Sequence, residues 1–213
     1  MRPLAFACLL LLTLAHAIAG DVAFTLTDAK GASVADAVVS LIPLDTPVKP
    51  VPPVAPLEIV QTGQEFSPLV TPVVVGTTVV FPNRDTVGHQ VYSISKPTKV
   101  FTFPIYQPGS SDSVVFDQPG VVAIGCNIHA WMLSYVVVLE TPWFAKADDD
   151  GRALVAAVPP GRYRAEIWHP TLKKPETREI AVTDSPVSIA LKVPATPIPR
   201  LRRAPTSGGG GYK

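Results

Sequence analysis

Polar and apolar residues alternate over short stretches of this chain, and Gly, Pro, Asp or Asn breaks the alternation every few residues. A period of two predicts half-buried strands joined by turns. Val22–Thr27 alternates, Asp28-Ala-Lys-Gly31 forms a turn, and Ala37–Ile42 resumes. Six prolines between Pro43 and Pro56 predict a stiff, extended connection with no packed element. Further strands are expected at Val73–Phe81, Gln90–Ile94, Val114–Phe116, Val121–Gly125 and Ser134–Glu140, with Asp117-Gln-Pro-Gly120 as a turn. From Pro142 to Val193 the style repeats, with turns at Asp148–Gly151 and Pro159–Gly161 and strands at Tyr163–Trp168 and Val187–Val193. No stretch of ten or more residues carries a helical period, so the expected fold class is all-β. The tail 194–213, with four prolines, Arg200, Arg202, Arg203 and a glycine run, is expected to be disordered.

The first residues have the form of a targeting segment. Arg2 supplies a positive start, Leu4–Leu14 is apolar but too short to span a bilayer, and small residues follow through Gly20. Residues 1–19 are expected to be a cleaved secretory signal, which implies export, with a periplasm as the destination and no membrane span after cleavage. Cys8 lies too early in the apolar run to mark a lipoprotein cleavage site.

Composition narrows the partners. With 47% hydrophobic and 16% charged residues over 213 positions, the chain can bury a core. A formal net charge of +1 removes the electrostatic case for nucleic acid.

The chemistry sits in the scarce residues. Beyond residue 19 remain one Cys (Cys126), one Met (Met132) and three His (His89, His129, His169). A lone Cys in an exported chain makes no internal disulfide, so it is a free thiol, an intermolecular bridge or a metal ligand. Cys126-Asn-Ile-His129-Ala-Trp-Met132 places three scarce residues on one loop before a strand, and His89 lies upstream on another. Thiolate and thioether favour copper, and imidazole suits it in both redox states. Two His and one Cys with a weak axial Met describe a blue-copper electron-transfer site, with one copper per chain. Zinc does not habitually use Met. A Cys–His nucleophile would need an orienting third group and leaves Met132 without a role. A c-type haem needs a second Cys. If His89 and His129 hold one metal, only His169 remains, so a one-chain multicopper oxidase or nitrite reductase is excluded by count and no catalytic residue is assigned. His169, in Trp168-His169-Pro170, is expected to be structural, and Trp143 and Trp168 to be core.

The loop Cys126-x2-His129-x2-Met132, with Asn83 six residues before His89, resembles the cupredoxins, and its spacing is similar to the amicyanin branch. Pro159-Pro160-Gly161-Arg-Tyr163 and Trp168-His169-Pro170 are further similar to exported cupredoxin-domain proteins labelled methylamine utilization proteins. The resemblance implies a cupredoxin Greek-key sandwich or barrel with His89, Cys126 and His129 as equatorial ligands and Met132 as axial ligand. It also implies backbone N–H groups near Asn83 and Gln90 bonded to the Cys sulfur, and a role for Asn83 in tying the two ligand loops together. Gly88, Gln90, Ala130 and Ile124-Gly125 depart from the family pattern around the site.

The flanking blocks resemble the two parts of a small carboxypeptidase-regulatory or prealbumin-like β-sandwich. Neither part has enough strands alone to bury a core. The expected organisation is therefore 20–43 as the first part of that sandwich, 44–56 as a Pro-rich linker, 57–140 as the cupredoxin domain and 141–193 as the remainder. The expected function is one-electron transfer between redox protein partners, which dock near Trp131, and not enzymatic catalysis. The alternatives are a periplasmic copper chaperone or buffer, and an envelope binding or scaffold protein with an accessory copper site.

Overall fold

A computed structural model describes residues 20–198, and the expected signal segment and most of the expected tail lie outside them. The described residues form strands and no helix. None of them makes a helix long and apolar enough to cross a membrane.

The strands pack as two groups. In the first, Gly20–Thr27 runs antiparallel to Arg152–Val158 and parallel to Val187–Lys192. Facing it is a sheet of Phe144–Lys146, Val38–Pro43, Gly161–Trp168 and Glu176–Val182. The alternation read from the sequence sets the inward face, and Val22, Phe24 and Leu26 meet Val39, Leu41, Ala165 and Ile167. Two of the expected turns close by hydrogen bonds, the N–H of Gly31 donating to the Asp28 carbonyl at 3.1 Å and that of Gly151 to the Asp148 carbonyl at 2.9 Å. The chain enters and leaves the second group by way of residues 44–56, which carry no strand, and residues 140–143.

The second group spans the middle of the chain. One sheet orders Ser111–Phe116, Thr77–Pro82 and Leu57–Glu58. The other orders Val70–Val74, Leu133–Leu139, Gly120–Gly125, Tyr92–Ser95 and Lys99–Thr102, and Val60–Thr62 with Glu65–Ser67 makes a hairpin. Between the sheets, Val79, Phe81 and Phe116 pack against Val122, Ile124, Val136 and Val138. The stretch Val73–Phe81, expected as one strand, is two. It breaks at Gly76, whose φ of 89° lies in the left-handed region, and the halves join different sheets.

The groups share a wall. Val136, Val137 and Val138 are all buried because Leu133–Leu139 is covered on both faces, which explains an apolar run where a half-exposed strand would alternate. Val137 meets Val38 and Val70, and Trp168 packs edge-on to Tyr135 with ring centroids 5.5 Å apart. Residues 194–198, expected within the tail, hold a place in the first group: Ala195 is buried, and the N–H of Thr196 donates to the Thr171 hydroxyl at 3.0 Å.

Two positions generate measurable expectations. Tyr92 pairs with Gly125, and a Cβ on Gly125 would lie 2.9 Å from the Tyr92 ring. Gly125→Ala is expected to cost about 1–3 kcal/mol in urea unfolding through overpacking, whereas Gly31→Ala, which meets no neighbouring atom, should show backbone strain only. His169 is buried, with Nδ1 2.8 Å from the Thr171 hydroxyl. Burial lowers its pKa, against the opposing pull of the Asp36 charge and a hydrogen bond to Ala35. The unfolded chain therefore takes up the proton first as pH falls, so stability is lost below the ordinary His value of about 6.5 and down to the folded value. His169→Gln is expected to flatten the fall in urea midpoint between about pH 7.5 and 5.5, and an unchanged slope would refute the assignment.

Candidate metal centre

His89 reaches the site from a loop that its own backbone pins. Its N–H donates to the Tyr106 carbonyl at 3.1 Å and its carbonyl accepts from the Tyr106 N–H at 3.0 Å. Asn83, itself buried, braces the turn before it. The Asn83 side-chain amide donates to the Val87 carbonyl at 2.9 Å and to the Tyr106 carbonyl at 3.3 Å, while its oxygen accepts the Asp85 N–H at 3.0 Å. His89 is thereby fully buried, and its Nε2 lies 3.1 Å from Asp85 Oδ2.

Cys126, His129 and Met132 come from the loop joining Gly120–Gly125 to Leu133–Leu139. Those two strands pair in register from Gly120 with Val138 to Gly125 with Leu133, so the loop is anchored at both ends. The Met132 N–H donates to the His129 carbonyl at 2.9 Å and closes the loop into a turn. Cys126 and Met132 are buried in the same apolar cluster, and His129 is half-buried. His89 Nδ1 and His129 Nδ1 stand 3.1 Å apart, and Cys126 Sγ lies 3.8 Å from His129 Nδ1. One donor atom from each of His89, Cys126 and His129 falls within 4.8 Å of the others.

The surrounding electrostatics suit a cation at that point. Burial, reinforced by the His89 charge, lowers the pKa of His129 against the opposing pull of Asp85. Its ring is thus neutral near pH 7 and has a lone pair to offer. Burial raises the Asp85 carboxyl, but the N–H groups of Gln64 and Thr86 and the His89 ring outweigh it and hold Asp85 below its usual value. Tyr106 is pushed up to about 12, chiefly by burial, and its hydroxyl donates to the Phe81 carbonyl at 2.7 Å. Two imidazoles and a thiol converging in a mostly apolar pocket, with a thioether in the same cluster, fit one copper ion by donor softness.

Most of the expected surroundings differ in detail. The Asn83 N–H donates to the Ser110 carbonyl at 2.9 Å, not to the Cys sulfur, because the strand end runs beside Ser110. No backbone N–H donates to Cys126 Sγ among the described residues. Asn83 braces the His89 loop against Tyr106. The two ligand loops are instead tied by their next residues, since the Asn127 side-chain N–H donates to Gln90 Oε1 at 2.6 Å. Gly125 leaves room for the Tyr92 ring. Trp131 is half-buried, lies tilted against the His129 ring with centroids 5.3 Å apart, and donates its indole N–H to the Gln64 carbonyl at 3.0 Å. It lines a cleft of about 780 Å³ between the two groups of strands, together with Met132 and His169. The expected set includes neither Asp85 nor Gln64. A carboxylate four residues before a candidate His ligand was the available signal for Asp85, and Gln64 acts through its backbone and leaves none.

No family model and no curated protein matches the chain. Solved structures do. A purple cupredoxin from Nitrosopumilus maritimus is 31% identical over 39% of this chain and 99% of its own, at a TM-score of 0.36. A Cu-containing nitrite reductase from Thermus scotoductus SA-01 is 28% identical over 46% of this chain but only 25% of its own, at 0.40. A reduced Cu(I) form of amicyanin is 22% identical over 47% of this chain and 98% of its own, at 0.38. The His89, Cys126 and His129 cluster, carried on two loops of the second strand group, fits the copper site of a cupredoxin.

Proposed function

We propose that this is an exported mononuclear copper protein that carries single electrons between redox partners. The observation that carries the reading is the convergence of His89, Cys126 and His129 within 4.8 Å, supplied by two loops that the sheets and side-chain hydrogen bonds already fix. His89, Cys126 and His129 would hold the ion, with Met132, buried in the same apolar cluster as Cys126, as the fourth and weaker donor. Copper held there supplies one reversible electron and, through the thiolate, an intense visible absorption.

The protein's own groups do the rest. The buried His89 and Cys126 keep water from one side, and the anchored loop keeps its donors at fixed separations. Half-buried His129 is the donor nearest the surface. Val87, Ile105 and Ile128 are exposed on the segments that carry or brace the two histidines and offer apolar surface suited to brief docking. Half-buried Trp131 flanks His129 on the same loop as Ile128. A net charge near zero favours partner choice by shape and apolar contact over long-range steering.

We read residues 57–140 as the copper-binding domain inserted into one sandwich built from 20–43 and 141–193. The pairing of Gly20–Thr27 and Val38–Pro43 with strands beyond residue 143 supports this division. The leader-like first nineteen residues support export.

Adding Cu(II) to the purified chain is expected to give an intense visible band, and Cys126→Ser should abolish it while leaving the fold intact by circular dichroism. Voltammetry should show one reversible electron per chain. A weak, colourless, freely exchanging complex would point instead to copper handling. Ile128→Lys should leave the band unchanged but slow electron self-exchange by roughly tenfold, because like charges then meet at the docking surface.

A further inference from the structure

Gly63 and Gln64 form the tip of the hairpin that joins Val60–Thr62 to Glu65–Ser67. Both are left-handed, with φ of 59° and 57°. That pair of angles is the tight two-residue turn whose twist matches its strands. The hairpin is rooted in the core by Phe66 and by fully buried Gln61, whose side-chain N–H donates to the Phe81 carbonyl at 3.0 Å.

Two hydrogen bonds leave Gln64 in different directions. Its N–H donates to Asp85 Oδ2 at 2.6 Å, and its carbonyl accepts the Trp131 indole N–H at 3.0 Å. The same Asp85 oxygen lies 3.1 Å from His89 Nε2. Trp131 sits between His129 and Met132 on the other ligand loop. One residue of a short hairpin thus touches the support of both ligand segments, which lie 40 residues apart in sequence.

The chemistry of the Asp85 arm is directional. A carboxylate against Nε2 calls for the proton on that nitrogen, which leaves the Nδ1 lone pair facing His129 and Cys126. The Trp131 arm holds the middle of the second loop against the same turn. The Gln64 side chain has no part in either bond, so the requirement falls on the backbone. A Cβ on Gly63 meets nothing within 4 Å, so conformation and not space is what the turn demands there.

We propose that the Gly63–Gln64 turn is a positioning element for the metal centre, holding His89 through Asp85 and the Cys126–Met132 loop through Trp131. The proposal rests on the reading of His89 and His129 as ligands, and its first test is independent of any metal. In the metal-free full chain, long-range nitrogen–proton NMR should find the His89 proton on Nε2. Asp85→Ala should mix the tautomers, and Asp85→Asn, whose amide oxygen still accepts, should largely restore the single form. An unchanged His89 tautomer in Asp85→Ala would overturn the proposal.

The second test uses Co(II) as probe. Asp85→Ala should weaken Co(II) binding about 10- to 100-fold, and Trp131→Phe, which keeps the ring but loses the donor, by a few-fold. Because both arms act through one turn, the double variant should bind little worse than Asp85→Ala alone. Fully additive losses would show two independent supports and sink the coupling. Gly63→Val, strained at its left-handed position, should weaken binding with Asp85 and Trp131 intact, and Gln64→Gly should not. Equal behaviour of those two variants would also count against it. If the wild-type chain fails to bind Co(II) or copper while the His89 tautomer responds as expected, the ligand reading falls and the positioning of His89 stands.

Discussion

The central constraint is that three polar donors occupy one small, mostly apolar pocket. Two ring nitrogens 3.1 Å apart can share at most one proton, and a thiol sulfur lies 3.8 Å from one of them. Burying unpaired polar groups costs several kcal/mol. The arrangement persists because each donor's backbone is committed elsewhere. His89 is laced to Tyr106 on both sides, and the Cys126 loop hangs between two strands in continuous register. The placement of these donors therefore rests on the β framework. A site so prepared undergoes little rearrangement when the charge at its centre changes by one, which is the physical requirement of an electron carrier.

The strand leaving the loop extends this constraint to the rest of the molecule. Leu133–Leu139 packs one face on the core beneath the donors and the other on Val38, Val70 and Trp168. A single strand is thus the common wall of both groups. Thr141, just past it, donates its buried hydroxyl to the Leu41 carbonyl at 2.7 Å and secures the crossing into the first group. The two groups are neighbours through apolar side chains and not through a continuous hydrogen-bonded sheet, so each retains its own core.

What could be read from the sequence follows from which features are local. Alternation placed Gly20–Thr27 and Gly120–Gly125 to within a residue or two because each has one face on a core, and the apolar run of Val136–Val138 placed Leu133–Leu139, which is covered on both faces. Glu176–Val182 escaped notice because it is an edge strand with mostly exposed positions, so burial imposes no pattern on it. Val73–Phe81 looked continuous because β-branched residues flank Gly76 on both sides, and only the glycine's left-handed backbone reveals the change of sheet. The scarce Cys, His and Met residues marked the centre because their side chains carry the chemistry. Its supports stayed hidden where they act through backbone atoms, as Gln64 does, or where a familiar role passed to a neighbour. Asn83 braces one loop, and Gln90 with Asn127 makes the tie between loops.

That exchange of roles bears on how the site meets its surroundings. The Gln90–Asn127 bond lies immediately beyond His89 and Cys126, on the side where Ile128 is exposed. A side-chain tie at that place holds the Asn127–Ile128 stretch of one loop against the His89–Gln90 stretch of the other. In the proposed electron carrier, a partner that contacts Ile128 would meet a surface whose distance from half-buried His129 is fixed. Electron transfer falls steeply with distance, so an apolar contact of low affinity suffices if the contact is stiff. In the proposed carrier, with a net charge of only +1 to prolong an encounter, rigidity beside Ile128 would take the place that strong binding otherwise fills.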